Sequence, residues 1–122
     1  MSTSKNRRAG VISIQANGQV YDAVGGFSYN LGRNKKEMLP GADRVHGFKE
    51  TVQVPFIEGE IRDSADLDVA AVLDIVDATV TLKLANGKTI MLRDACQTNE
   101  GTGDTEEGKF AVRFEGKQAE EV

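Results

Sequence analysis

The stretch A-T-V-T-L-K-L-A-N-G-K-T-I-M-L, residues 78–92, alternates apolar and polar side chains on either side of an Asn-Gly pair. This alternation is typical of β-strands with one buried face. Asn-Gly favours a hairpin because both residues tolerate the positive φ of a type I′ turn. A third alternating run, K-F-A-V-R-F-E, follows at residues 109–115. The sequence therefore predicts an antiparallel sheet with one face on a core and the other available to solvent or a partner.

The upstream sequence extends this pattern. Residues 9–16 and 19–23 flank a second Asn-Gly pair and predict a second hairpin, and Gly25-Gly26 predicts a bend or bulge in the strand that follows. Residues 49–61 predict one long strand that is re-aimed at Pro55, each half burying a different face, since proline cannot donate a ladder hydrogen bond.

One short helix is expected after that strand. Residues 63–66, D-S-A-D, offer N-cap side chains, and the apolar positions that follow have helical spacing over about three turns. These positions are Leu67, Ala70, Ala71 and Ile75. The expected fold is mainly β (α+β), a small antiparallel β-barrel or sandwich with one short flanking α-helix and a long loop or arm between early strands.

Composition indicates a single globular domain spanning residues 1–122. The chain is 39% hydrophobic and 28% charged, which is ordinary for a soluble protein. It contains neither a secretory signal nor a run long enough for a membrane helix, so we expect folding in the cytoplasm and no membrane insertion. The single cysteine, Cys96, excludes an intrachain disulfide and fits a small filler near a strand end. Residues 1–8 are polar and are expected to form a mobile N-terminal segment.

Charge is distributed unevenly along the chain. Residues 1–49 carry eight basic and three acidic side chains (8 − 3 = +5), and residues 50–122 carry seven and sixteen (7 − 16 = −9). This asymmetry can arise by chance, or it can favour head-to-tail self-association. Strong DNA affinity is disfavoured because the sequence lacks a dense basic run interleaved with aromatic residues.

The segment L-G-R-N-K-K-E-M-L-P-G-A-D-R-V-H-G, residues 31–47, shows no sustained periodicity. A structureless stretch of this length is uncommon inside a compact domain and is usually functional or ordered by a partner. We predict that it is an arm, the alternative being a flexible loop.

No catalytic, cofactor or metal site is predicted. The only histidine is His46, and the sequence contains no nucleophile elbow, phosphate-binding loop or dinucleotide fingerprint. Glu58 and Glu60 could act as an acid–base pair on one strand face, but a row of polar side chains that faces solvent or a lumen is the better interpretation. The acidic residues between positions 99 and 108 do not have EF-hand spacing and fit an exposed turn; they are Glu100, Asp104, Glu106 and Glu107.

Three longer blocks carry a family resemblance. Residues 46–61 (H-G-F-K-E-T-V-Q-V-P-F-I-E-G-E-I), 77–95 (D-A-T-V-T-L-K-L-A-N-G-K-T-I-M-L-R-D-A) and 107–116 (E-G-K-F-A-V-R-F-E-G) resemble the tail tube proteins of Mu-type contractile-tailed bacteriophages and prophages. The R-R-A-G of residues 7–10 and the N-G-x-x-Y of residues 17–21 are similar as well. The resemblance spans nearly the whole chain and departs from the family pattern mainly at residues 31–43.

The resemblance implies a structural virion protein whose hexameric rings stack into the DNA-conducting inner tube of a phage tail. It implies assembly in the bacterial host cytoplasm, contact with sheath, tape-measure and tail terminator or baseplate proteins, and transient, non-specific passage of double-stranded DNA. The N-terminus and arm would contact neighbouring subunits, and the expected contact residues are Arg7, Arg8, Arg33, Lys35, Lys36, Met38, Leu39 and Arg44. The polar phase of the strands would face the lumen, with Gln53, Glu58, Glu60, Lys109, Arg113 and Glu115 as candidates.

A small β-barrel module that binds a ligand or an oligonucleotide remains the alternative. Such a module should display stacking aromatic residues on an open strand face. Phe110 and Phe114 instead share the phase of Val112 and are predicted to lie in the core. Assembly therefore separates the two functions: a tube protein polymerises or forms rings, whereas a binding module remains small.

Overall fold

A computed structural model describes residues 13–122 of the chain. Over this range the chain forms antiparallel strands and one short helix. In chain order they are β1 (Ser13–Ala16), β2 (Gln19–Tyr21), β3 (Ala23–Asn30), β4 (Lys35–Pro40), β5 (Val45–Thr51), β6 (Phe56–Arg62), α1 (Val69–Leu73), β7 (Ala78–Lys83), β8 (Thr89–Gln97), β9 (Gly103–Asp104), β10 (Lys109–Glu115) and β11 (Gln118–Glu121). The N-terminal segment at residues 1–8, the start of the first predicted strand, and Arg7 and Arg8 lie outside the described residues.

The strands form a two-layered sandwich, as the predicted fold class allowed. Hydrogen bonding follows the order β2-β1-β7-β8-β10-β6-β3, with β11 beside β8, β9 beside β10, and β4 and β5 as a separate pair. β8 belongs to both layers: its first part pairs with β7 and β11, and Cys96 and Gln97 pair with β10. Asp94 has a φ of +52° where the register with β7 shifts, so the strand bends there and crosses between layers. Within residues 13–122 this path ends at β2 and β3 without closing into a barrel.

The core lies between the layers and is built from the apolar phase of each strand. Phe110, Val112 and Phe114 of β10 are each about 1% exposed and pack in one cluster with Ile57 and Ile61 of β6. The prediction that the β10 aromatic residues belong to the core is confirmed. Burying these side chains stabilises the body of the subunit by about 1.5–3 kcal/mol for each fully covered residue.

The two Asn-Gly pairs form different turns. Asn17 and Gly18 have φ values of +50° and +84°, the combination that a type I′ turn requires. At the second pair only Gly87 is left-handed, with φ +93°, and the Gly87 N–H donates to the Leu84 carbonyl at 3.1 Å. The hairpin is confirmed, but its predicted type I′ turn is wrong, because a three-residue loop with glycine at its end satisfies the same strands.

The segment 49–61 is not one strand. β5 ends at Thr51, β6 begins at Phe56, and the two belong to different sheets. Val52 and Val54, which were expected to be buried, are 81% and 54% exposed. Pro55 is buried in the connection, so this residue breaks the strand instead of bending it.

The segment 31–47 also has regular structure, contrary to the absence of periodicity in its sequence. Residues 35–40 form β4 and pair antiparallel with β5 in a two-stranded hairpin. The helix is shorter than expected, because the chain turns at Ser64 and Leu67 before Asp68 caps a helix of five residues. Asp68 Oδ1 accepts from the Ala71 N–H at 3.2 Å, and Val72 is the buried helical residue.

The predicted bulge at Gly25-Gly26 is confirmed, since the register between β3 and β6 shifts between Val24 and Ser28. The extra residues let the Phe27 ring lie on Gly59, where an added Cβ would come within 2.6 Å of the ring. Gly59 therefore leaves room for an aromatic side chain from the neighbouring strand. Within residues 13–122, none of the helices is long and apolar enough to cross a membrane.

Candidate functional site

The first candidate surface is the β4–β5 hairpin, which projects from the body. All six residues of β4 and all residues of β5 except Gly47 are exposed. An isolated two-stranded hairpin is at best marginally stable in water and normally acquires support from further strands or a covering element. The exposed hairpin is therefore suited to contact with another chain.

Its two faces differ in chemistry. Met38 pairs directly with Phe48 on one face, and these side chains are 59% and 53% exposed. On this face Pro40 and Val45 are the next pair toward the turn, after a register shift, and Lys36 and Glu50 are the next pair toward the body; the part that holds Met38, Phe48, Pro40 and Val45 is called here the apolar face. The opposite face carries the Glu37 and Lys49 pair, whose carboxylate and ammonium groups are 3.5 Å apart. The apolar side is the surface that gains most from being covered.

The hairpin joins the body at a packed hinge. Gly32 has a φ of +72°, and a Cβ on this residue would lie 2.7 Å from the Pro55 ring. The Gly32 N–H donates to Asn30 Oδ1 at 2.7 Å, and the Gly116 N–H donates to the Pro55 carbonyl at 3.1 Å. The two connections of the hairpin thus touch each other and are anchored to the body.

The expected contact residues other than Arg7 and Arg8 all belong to this region. Lys35, Lys36, Met38 and Leu39 lie on β4, Arg33 lines a polar cleft at the hinge, and Arg44 lies in the turn. Phe48 and Val45 were not predicted as contact residues, because Phe48 is an isolated apolar residue within the sequence H-G-F-K-E of residues 46–50.

The hairpin turn holds a small polar cluster. His46 Nε2 lies 2.9 Å from Asp43 Oδ1, and Arg44 Nε lies 3.7 Å from Asp43 Oδ2. All three side chains are more than half exposed, so the pairs contribute little to stability.

The second candidate surface is the outward face of β6 and β10, called here the charged face. Its residues alternate with the core residues of the same two strands; they are Phe56, Glu58, Glu60, Arg62, Lys109, Ala111, Arg113 and Glu115. Arg113 and Glu58 are directly opposite, with Nη1 and Oε2 2.6 Å apart, and the guanidinium lies 4.0 Å from the Phe56 ring centroid. The five strand residues predicted for the lumen are therefore brought together on one face.

Lys109 lies at the other end of this face. Its Nζ is 3.0 Å from a Glu107 carboxylate oxygen and 3.4 Å from one of Glu60. The hydrogen bond that Lys109 donates to Glu107 and the negative charges of Glu107 and Glu60 raise the pKa of Lys109 above its usual range. Glu107, which comes from the preceding loop, had been considered only as part of an acidic turn.

Gln53 was predicted on the same strand phase but lies in the connection between β5 and β6. Its Oε1 accepts from Asn30 Nδ2 at 3.5 Å, and Asn30 is the strand partner of Phe56. Cys96 is half-buried and is the strand partner of Glu115, so it lies beside the charged face. In the part of the chain that the structure describes, no three His, Cys, Asp or Glu side chains are grouped so that they could hold a metal ion.

The two parts of the chain carry opposite charge. Residues 31–51, which contain the hairpin, have five basic and three acidic side chains (5 − 3 = +2). Residues 13–30 and 52–122 together have seven basic and sixteen acidic side chains (7 − 16 = −9). The hairpin segment and the rest of the described chain therefore carry net charges of opposite sign.

Comparison with known proteins gives matches over almost the full length of the chain. The family model described as phage tail tube protein matches residues 5–121. The tail tube protein of Escherichia phage Mu is 26% identical over 117 residues, which cover 96% of this chain and 97% of that protein.

Solved structures share the fold at low sequence identity. Hcp1 from Flavobacterium johnsoniae has a TM-score of 0.64 at 13% identity and covers 92% of this chain and 94% of its own. The sheath/tube terminator of the PVC extracellular contractile injection system has a TM-score of 0.65 at 8% identity, with 91% and 92% covered. The tube terminating cap of the anti-feeding prophage has a TM-score of 0.67 at 6% identity, with 100% and 95% covered.

Proposed function

The chain belongs to the phage tail tube protein family, and we propose that its copies form hexameric rings that stack into the hollow inner tube of a contractile tail. Its role is structural. The observation that carries this conclusion is the family match across residues 5–121, and the relative in phage Mu supports it over nearly the whole length of both proteins. The low-identity structural neighbours agree in fold.

We propose that the hairpin makes the contact between rings. Its apolar face, with Met38 and Phe48, docks on a second copy of the chain, and its charge of +2 complements the −9 of the body. Docking would remove exposed apolar surface and would give a two-stranded element the support that it lacks alone. Arg33, Lys35, Lys36, Leu39 and Arg44 would surround this contact, and Arg7 and Arg8 are proposed to add to it from the N-terminal segment.

The charged face is proposed to line the lumen through which double-stranded DNA passes. A continuous inner wall requires sheets of neighbouring subunits to join at their edges, and β3 is an edge strand of the body. The remaining proposed partners are the sheath, tape-measure and terminator or baseplate proteins. The subunit would be assembled in the host cytoplasm, would end in the virion tail, and would have no catalytic activity.

Negative-stain electron microscopy of the purified chain over a range of concentrations tests this assembly. Size-exclusion chromatography with light scattering detects smaller species in the same samples. Hollow rings or tubes with six subunits per ring are expected. Compact monomers at every concentration would contradict the proposal and favour a small binding module, which an oligonucleotide titration would then examine.

A hairpin deletion tests the inter-ring contact. Lys35 and Thr51 are strand partners, so their Cα atoms are about 5 Å apart and a Gly-Gly link can replace residues 35–51. This design keeps the Gly32 and Pro55 contact, whereas removing residues 31–47 would leave β5 without its partner strand. We expect a folded body by circular dichroism and no tubes. Normal tubes would refute the assignment of the hairpin.

A further inference from the structure

The cations of the charged face are each held by two carboxylates. Arg113 contacts Glu58 at 2.6 Å and Glu115 at 3.8 Å, and Lys109 contacts Glu107 at 3.0 Å and Glu60 at 3.4 Å. Four carboxylates therefore surround two cations. The arrangement differs from isolated surface pairs, in which one flexible cation meets one carboxylate.

The strand register fixes this arrangement. Arg113 is directly opposite Glu58, and Glu60 lies diagonally opposite Lys109, within reach of a long side chain. The side chains of Lys109 and Arg113 are only 23% and 31% exposed. The neighbouring core residues of β10 hold the backbone from which both side chains extend, so the pairing positions are set by the strand.

Duplex DNA is bound without sequence preference by lysine and arginine that neutralise its phosphates. A guanidinium or ammonium group whose donors already meet carboxylates has to lose those bonds before it contacts a phosphate. The four carboxylates also give this cluster a net charge of −2. Arg62, at the end of the same face, donates from Nη1 to the Glu107 carbonyl at 2.6 Å and brings the local sum to −1.

We propose that Glu58 and Glu60 mask a latent phosphate-binding pair, Arg113 and Lys109, and thereby keep the face from holding duplex DNA. This inference rests on the proposed function, in which the charged face lines the tube. In this proposal Lys109 and Arg113 join β6 and β10 through cross-strand ion pairs. Glu58 and Glu60 in turn prevent the same two cations from binding the phosphates of a passing duplex.

The test uses full-length chain assembled into tubes and a short fluorescent duplex. The variant Glu58→Gln/Glu60→Gln keeps side-chain size and hydrogen bonding but removes one of the two carboxylates that hold each cation, leaving Glu115 beside Arg113 and Glu107 beside Lys109. The matched control is Glu120→Gln/Glu121→Gln, which also removes two carboxylates and releases one arginine and one lysine, Arg93 and Lys88, on the other layer. Both variants change net charge by the same amount.

We expect the Glu58→Gln/Glu60→Gln tubes to retain at least about tenfold more duplex than wild-type or control tubes at about 50 mM salt, and to release it at about 200 mM. Adding Lys109→Gln and Arg113→Gln should abolish the gain. Equal retention by the variant and the control, with tubes formed by both, would overturn the masking role and leave the tube assignment intact.

Absence of tubes from the wild-type chain would instead refute the proposed function. If only the Glu58→Gln/Glu60→Gln chain fails to assemble, fluorescence anisotropy with the same duplex compares the unassembled variant with the control chain. Tighter binding by the variant is again expected, and equal affinity would overturn the inference.

Discussion

Truncating the apolar face of the hairpin should impair assembly without unfolding the subunit. The variant Met38→Ser/Phe48→Ser removes one cross-strand pair whose members are already more than half exposed. Exposed substitutions change stability by about 0.5 kcal/mol or less, so the melting temperature of the monomer should hardly change.

The expected effect on assembly follows from the exposed area. With roughly 200 Å² for a side chain of this size, exposures of 59% for Met38 and 53% for Phe48 leave about 220 Å² that docking can cover. At ~25 cal/mol per Å² this corresponds to about 5 kcal/mol for complete burial. Incomplete coverage and the ordering of the hairpin reduce the gain to about 2–3 kcal/mol per contact. The critical concentration for tube formation should therefore rise about 30- to 150-fold.

Sedimentation of tubes over a concentration series measures this critical concentration. The control is Glu37→Ser/Lys49→Ser, the adjacent cross-strand pair on the opposite face, which removes an exposed ion pair worth at most about 1 kcal/mol. The control should shift the critical concentration by less than about fivefold. Equal shifts in the two variants, or a larger shift in the control, would refute docking through the apolar face.

Two further predictions concern the body of the subunit. Gly59→Ala places a Cβ within 2.6 Å of the Phe27 ring and should lower the free energy of unfolding by about 1–3 kcal/mol in urea titrations. This loss should be smaller when Phe27 is also replaced by alanine. An equal loss in the Phe27→Ala background would contradict the steric cause. Burial raises the pKa of Tyr21, and the carboxylates around Lys109 raise its pKa, so the folded state binds both protons more tightly than the unfolded state. The stability that both groups contribute is complete below about pH 10 and is lost as pH rises through their raised pKa values. Urea unfolding midpoints should therefore decline above that pH, and they should decline less steeply for the Tyr21→Phe variant. Parallel declines in the two proteins would exclude Tyr21 as a cause.

The sequence predicted the body well because local pattern and burial agree there. β10 was predicted with its observed bounds, since Phe110, Val112 and Phe114 alternate with polar residues and enter a core that is buried on one side only. The charged face followed from the same alternation. The pairing of Lys109 with Glu107 could not be predicted, because it depends on how the loop before β10 folds back.

The hairpin was predicted as a site but not as a structure. Alternation identifies a strand when one face is buried, and in β4 and β5 neither face is covered within this subunit. Charged residues therefore occupy both faces of the hairpin. A single apolar pair, Met38 and Phe48, is too short a pattern to predict two strands from the sequence. The prediction of one strand bent at Pro55 was wrong for a related reason. A proline that ends a strand and a proline that bends one have the same sequence pattern, and the difference depends on the packing of Pro55 against Gly32.

The lack of cover on the hairpin has an energetic consequence for the proposed contact between rings. The body has a core of its own, shared by residues from both layers, so it can fold before any contact with another copy. The hairpin contributes no side chain to that core, and its strands pair only with each other among the described residues. If the hairpin docks on a second copy as proposed, the cost of fixing its backbone falls on the assembly step instead of on folding. Under the proposed inter-ring contact, shortening or stiffening the hairpin should move the concentration threshold for tube formation without altering the body.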